Sequence, residues 1–215
     1  MLFVFKSFLK SLKQPKVLQI INSAALHSAY LKAIKDYIQP VMLQITLLIP
    51  FLISIDAKRK SGIVVGVIYF FIYLLTSYAS KKSFKISELI VGNVPRLTLL
   101  LGLISGFICG ILYHFELWTI ALLFFACIYV FENIRKPLLT GEIADHVAPE
   151  ILTSVISAQS FFSTITTSII AVSIGFLADK WGIGIAFIIV SSTLILFTLA
   201  LNLKKFKNSG KISKI

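Results

Sequence analysis

Residues 97–133 read LTLLLGLISGFICGILYHFELWTIALLFFACIYVFEN, two apolar runs, Leu97–Tyr113 and Leu117–Asn133, parted only by His114, Phe115 and Glu116. Each run is long enough to cross the ~30 Å hydrocarbon layer as a helix, in which every backbone polar group is satisfied internally. A three-residue link leaves no room for a soluble connection, so the pair predicts a tight transmembrane hairpin. Its only charged residues are Glu116 in the link and Glu132 near the far end.

Similar runs lie on both sides of the hairpin, at Ile63–Ser80, Leu152–Leu177 and Ile183–Leu203, and a more polar one at Val17–Ile38. The whole chain of 215 residues is 57% apolar and 14% charged, with a mean hydropathy of +0.92. A soluble chain carries about 25% charge, so this composition excludes a soluble globular domain and a disordered tail. At ~20 residues per span there is room for roughly six crossings. The expected fold class is therefore all-α, a polytopic membrane protein of six transmembrane helices. Residues 16–205 form the membrane domain. Residues 1–15 form an amphipathic interfacial helix, with Leu2, Phe5, Phe8, Leu9 and Leu12 opposite Lys6, Lys10 and Lys13, and residues 206–215 form a basic tail. The lysines follow the apolar start instead of preceding it, so the first stretch reads as retained and not as a cleaved signal.

The run Val41–Ile55 is short and contains Pro50, so it reads as interfacial or re-entrant, and charge decides the count of crossings. With six spans and the N-terminus inside, segments 1–16, 81–96, 135–150 and 204–215 carry 15 of the 21 Lys and Arg, in keeping with the positive-inside rule. A crossing at 41–55 would move the runs at 81–96 and 204–215 outside. The net charge of +12 thus reads as topology. Nucleic acid is not expected as a partner, since the cations fall between apolar stretches instead of clustering on a folded face. Cys109 and Cys127 lie in apolar runs without CxxC spacing or paired histidines, so no metal site and no cofactor is expected.

Polar groups in hydrocarbon are costly and face the bundle interior or water, so their placement is the main functional signal. Gln19, Asn22, Ser23, His27 and Tyr30 recur at three- and four-residue steps on one face of the first span, with His27 near the membrane middle. The stripe reads either as interhelical hydrogen-bond glue or as the lining of a solute or proton site. Lys32, Lys35 and Asp36 lie in the last turns of this span and read as snorkelling at the outer interface, with Lys32 and Asp36, four apart, also able to pair. Glu132 and Arg135, three apart, read as an ion pair acting as a gate or latch near the inner surface. The fifth span carries Gln159, Ser163 and seven further Ser and Thr residues from Ser154 to Ser168, so part of it is expected to pack or to line a cavity. The last span, with only scattered Ser and Thr, reads as lipid-facing. Gly102, Gly106 and Gly110 form GxxxGxxxG, which favours close helix packing, and Gly62 and Gly66 repeat it weakly. Ser105 and His27 are the only imaginable nucleophile and base. Nothing in the sequence brings them together, and no HExxH or paired intramembrane carboxylate is present, so no enzyme is expected.

From Lys16 to about Lys205 the order and spacing of spans resembles the C-terminal six-helix half of a major facilitator superfamily transporter. The stretch Glu132-Asn133-Ile134-Arg135-Lys136-Pro137, followed by Ile143-Ala144-Asp145-His146-Val147-Ala148-Pro149-Glu150, resembles that family's loop between the tenth and eleventh helices. Asp36-Tyr37-Ile38-Gln39-Pro40 resembles the outer end of its seventh helix in bacterial members. Gly175-Phe176-Leu177-Ala178-Asp179-Lys180-Trp181-Gly182 resembles the turn before its last helix. The resemblance does not extend to the family's N-terminal half, and Tyr78-Ala79-Ser80-Lys81-Lys82-Ser83 is at best a degenerate counterpart of that half's basic-acidic loop motif. The resemblance implies a secondary transporter of a small solute in a bacterial inner membrane, both termini cytoplasmic, working by rocking against a second six-helix half or a second copy. It implies cavity-lining spans starting at Val17, Ile63, Leu117 and Leu152 and peripheral ones at Leu97 and Ile183. Gln19, Asn22, His27, Tyr30, Asp36, Gln39, Gln159 and Ser163 are then the candidate cavity residues, and Glu132 and Arg135 the gate. Coupling to protons would need a titratable group in the cavity, for which His27 is the mid-span histidine. A membrane scaffold or assembly factor, or a non-functional transporter remnant, is the alternative, since packing alone accounts for the glycines.

Overall fold

The computed structural model describes residues 14–48, 57–89 and 94–212. The expected amphipathic helix at 1–15 lies almost wholly outside the described residues, as does the second half of the 41–55 run. Helix α1 spans Pro15–Ile34, and a 3-10 turn at Lys35–Tyr37 joins it to α2, Ile38–Leu48. Then come α3 (Ala57–Lys81), α4 (Ser83–Leu89), α5 (Val94–His114), α6 (Trp118–Ala144), α7 (Pro149–Trp181) and α8 (Ile183–Ile212). No strand occurs among the described residues.

Among the described residues, five helices are long and apolar enough to cross a membrane: Gly62–Lys81, Arg96–His114, Trp118–Ala144, Pro149–Trp181 and Ile183–Ala200. Helix α1 has the length of a span, about 30 Å at 1.5 Å per residue, but its polar stripe leaves it less apolar than the other five. The connections follow from local chemistry. The α5–α6 hairpin turns through Glu116, at φ 61°, and is braced by Tyr113 edge-on to Trp118, ring centroids 4.8 Å apart. Pro149 opens α7, where its missing N–H costs nothing. Gly182 closes α7 at φ 87°, a conformation side chains disfavour, and its N–H bonds Ala178 O at 2.8 Å, so the chain reverses within one residue.

Helix α1 runs through the bundle from one end to the other. Val17, Ile20, Ile21 and Ala24 pack with Leu139 and Ile143 at the end of α6, Val147 in the following turn, and Ile151 and Val155 at the start of α7. Further along, Tyr30, Ala33 and Ile34 join Phe125 and Ile128 of α6, Ile174 of α7 and Phe187 of α8, the cluster nearer the α5–α6 hairpin. Helix α2 continues this line, with Ile38, Val41, Met42 and Thr46 buried. The described part of the 41–55 run therefore packs one face, Val41, Met42 and Thr46, against the bundle as an extension of α1 beyond its 3-10 turn, with Leu43 and Gln44 exposed.

One expectation about packing changes, and a second holds for only part of its helix, at Gln159 and Ser163. The last span is not simply lipid-facing: Ala186, Phe187, Val190 and Ser191 of α8 are buried. A Cβ on Gly110 of α5 would come within 2.9 Å of Gly184 O, and one on Gly184 within 2.8 Å of His114 N, so these two helices meet backbone to backbone. The hydroxyl-rich α7, conversely, is the barest of the candidate spans, with 17% of its apolar window buried against 44% for α5. Ser154, Ser157, Ser160, Thr164 and Ser168 are exposed. Thr164, Thr166, Thr167, Ser168 and Ser173 hydroxyls donate to carbonyls one turn back, so the helix satisfies them without any neighbour.

Gly110→Ala and Gly184→Ala should each destabilise the bundle by about 1–3 kcal/mol, the usual cost of overpacking. Gly62→Ala and Gly66→Ala, whose added methyl meets nothing within 4 Å among the described residues, should leave it unchanged. Thermal unfolding in one detergent separates the two pairs.

Candidate functional site

A buried polar cluster occupies the junction of α1, α5 and α6. His27, fully buried, places Nδ1 2.6 Å from Glu132 Oε2, and the Ser28 hydroxyl donates to Glu132 Oε1. One carboxylate of α6 is thus held by two consecutive residues of α1. One turn further along α6, Arg135 is 1% exposed. Its Nη2 donates to Ser23 O and Ser23 Oγ at 3.0 Å each, and Nη1 donates to Thr98 Oγ1 of α5 at 3.2 Å. A buried charge is tolerated only with such partners, and the planar guanidinium suits the task because its donors point two ways at once.

Two glycines make room for the stripe. A Cβ on Gly102 would collide with the His27 ring, and one on Gly106 with the Tyr30 hydroxyl. Tyr30, fully buried, shares a 2.6 Å hydrogen bond with Ser191 of α8. The GxxxGxxxG pattern therefore works inside the chain: its first two glycines seat side chains of α1 and its third admits α8. His27 Nε2, against Gly102, has no hydrogen-bond partner among the described residues.

A small pocket about the size of one water molecule opens beside this cluster. Ser28, Glu132, Arg135, Lys136 and Gln159 supply its polar lining, over an apolar floor of Ala24 and Leu139. Farther along α1, Lys32 Nζ donates to Ser163 Oγ of α7 at 3.4 Å. The stacked rings of Tyr69 and Tyr73 on α3 lie 5.8 Å apart, and the Tyr69 and Tyr129 hydroxyls are within hydrogen-bond reach of each other.

Of the sequence-derived candidates, His27, Tyr30, Glu132 and Arg135 come together in the interior, Gln159 reaches the pocket and Ser163 meets Lys32. Asn22, Asp36 and Gln39 are exposed and join no such cluster. The side chain of Gln19 lies outside the described residues. The expected Glu132–Arg135 ion pair takes another form. Glu132 and Arg135 are close enough for their charges to interact but each is turned to its own partners across helices. Lys32 reaches Ser163 in place of Asp36. Arg135, counted by sequence among the cytoplasmic charges, is instead interior, and the count on that side becomes 14 of 20. Ser28, Thr98, Ser191 and Tyr129 were not singled out. Ser28 follows His27 directly, which was a usable signal. Thr98 and Ser191 gave none, since their partners are 37 and 161 residues away. Ser105, once paired in thought with His27, donates to Leu101 O at 2.8 Å. Among the described residues no three His, Cys, Asp or Glu converge as a metal site.

Comparison of the chain with protein-family models, with curated proteins and with solved structures finds no match.

Arg135→Ala should destabilise the protein by on the order of 3 kcal/mol, since hydrogen bonds to charged groups contribute about 1.5–3 kcal/mol each and are not additive. Arg135→Lys should recover only part, one ammonium being unable to span Ser23 and Thr98. Lys136→Ala, on the exposed side, should stay within about 0.5 kcal/mol. Chemical denaturation in detergent ranks the three.

Proposed function

We propose that the chain is a six-span half-bundle of a secondary transporter, which moves a small solute by rocking against a second six-helix half, either another chain or a second copy. In this reading α1 is the sixth crossing and both ends of the chain face the cytoplasm of a bacterial inner membrane, where 14 of 20 Lys and Arg then lie. The family resemblance supplies the transporter class. The observation that carries the reading is the site: a charged and hydroxyl-lined cluster on α1 and α6, at mid-length of the bundle, opening through a pocket toward α7. Intramembrane ionisable groups mark solute and ion pathways, and transporters of this architecture bind at the midplane between two halves.

The bare helices favour the same view. Phe70, Phe71, Tyr73, Leu74 and Leu75 of α3 and Phe161, Ile165, Ile169 and Val172 of α7 are exposed. Lys32, Asp36 and Gln159 also reach the surface of this half. Lys32 and Asp36 lie at the far end of α1 and in the turn after it, where charged side chains can reach the water interface. A scaffold would use the interhelical bonds of this cluster for packing, and it is the pocket beside the ionisable groups that favours a pathway.

Cells producing the chain together with its neighbouring reading frame, fed a mixture of labelled small metabolites, should accumulate or deplete at least one of them relative to cells lacking it. His27→Ala should abolish the difference at unchanged membrane abundance. Identical metabolite profiles with and without the protein, or an unaffected His27→Ala, would contradict the reading.

A further inference from the structure

We propose that Asp36 and the tyrosines beside it, Tyr69, Tyr73 and Tyr129, form a recognition site for an organic ammonium ion near the far end of α1. The inference rests on the transporter reading and deepens it by naming the substrate class. It is carried by side chains apart from the His27–Glu132 cluster.

Two of these tyrosines stand where an interfacial belt does not put them. Tyr69 and Tyr73 lie about 10 and about 16 Å into the Gly62–Lys81 span at 1.5 Å per residue, whereas belt aromatics sit at helix ends, as Trp118 and Trp181 do. One turn apart on α3, their rings stack with centroids 5.8 Å apart and planes at 20°. Tyr69 is half-buried and Tyr73 is exposed, so the stack presents an open ring on the bare side of the bundle. Behind it Tyr129 of α6, 8% exposed, shares a hydrogen bond with the Tyr69 hydroxyl. Tyr37 and Tyr69 both pack on the buried cluster that contains Tyr129, which brings the 3-10 turn at Lys35–Tyr37 alongside α3 and α6.

Asp36 supplies the charge. It is exposed in that turn and close enough for its charge to act on Tyr37, Tyr69 and Tyr129. Among the described residues no cation pairs with it: Lys32 donates to Ser163 of α7, and Lys35 forms no ion pair. Asp179, near the end of α7, is a second carboxylate within reach of Tyr37. A carboxylate without a cation of its own, next to electron-rich ring faces, suits an ammonium group. The carboxylate attracts the charge, and the rings attract it without needing a hydrogen-bond donor, so alkylated nitrogens are accepted. Anions are repelled by both. Calcium and magnesium fit poorly, since they need several oxygen ligands and among the described residues no three His, Cys, Asp or Glu converge.

The test uses the full chain in lipid nanodiscs. Choline and benzyltrimethylammonium are the probes, and 3,3-dimethylbutan-1-ol, the uncharged isostere of choline, is the control. Saturation-transfer magnetic resonance should show both ammonium ions bound and the alcohol unbound. Asp36→Asn should weaken binding about five-fold or more, as for one close charge pair lost in water. Tyr73→Leu should weaken it about two- to five-fold, the worth of an exposed cation–π contact. Tyr73→Phe, which keeps the ring, and Glu150→Gln, at the start of α7, should bind as the wild type does. Absence of binding by both probes, equal binding of the alcohol, or an affinity indifferent to Asp36→Asn overturns the proposal. Ammonium binding without transport of any solute in cells would sink the transporter reading alone, and transport of a solute with neither probe bound would sink this one alone.

Discussion

A guanidinium that is 1% exposed inside a bundle of apolar helices constrains everything around it. It cannot be left without partners, because an unsatisfied buried charge costs several kcal/mol, and α6 alone cannot supply them. Ser23 on α1 and Thr98 on α5 do, which fixes α1 beside α5 and α6 and brings His27 and Ser28 to Glu132 one turn away. The polar stripe of α1 thus determines the place of that helix. Too polar to be held by lipid on all sides, it is wrapped by the more apolar helices.

The glycines complete that arrangement. Between membrane helices there is no hydrophobic gain from lipid-facing contact, so association depends on close packing and on interhelical hydrogen bonds. Gly102 and Gly106 allow His27 and Tyr30 to lie flat against α5, while Gly110 and Gly184 let α5 and α8 touch. Helix α1 consequently packs along α7 and α6, with α5 against its His27–Tyr30 face and α8 closed onto α5. Helix α3 and the outward face of α7 are bare, and the pocket beside Glu132 opens toward α7 at Gln159.

Much of this was legible in the residues. The hairpin at 114–116, the apolar spans, the inward His27–Tyr30 face and the close-packing glycines all follow from periodicity and composition, which are local properties. The partners were not legible, because they are set by tertiary proximity: spacing within α6 favoured a Glu132–Arg135 pair, yet helices crossing at that level offered each a better one. The hydroxyls of α7 were informative only in part: Ser163 is buried and Gln159 lines the pocket, while most of the others are exposed. A Ser or Thr in a helix can return its hydrogen to the preceding turn, so a hydroxyl-rich face need not be a packed face. Arg135 shows the limit of counting charge by position, since a cation at the end of an apolar run can turn inward when donors and acceptors await it.

Whether α1 crosses is the point on which the six-span architecture stands, and thiol labelling reads it directly. With Cys109 and Cys127 replaced by Ala, single cysteines at Gln14, Lys82 and Phe115 would be exposed to a membrane-impermeant maleimide on intact and on permeabilised cells. A crossing α1 puts Gln14 and Lys82 on one side, reactive only after permeabilisation, and Phe115 on the other, reactive in intact cells. Labelling of Gln14 together with Phe115 in intact cells would leave α1 short of the far surface and dissolve the half-bundle.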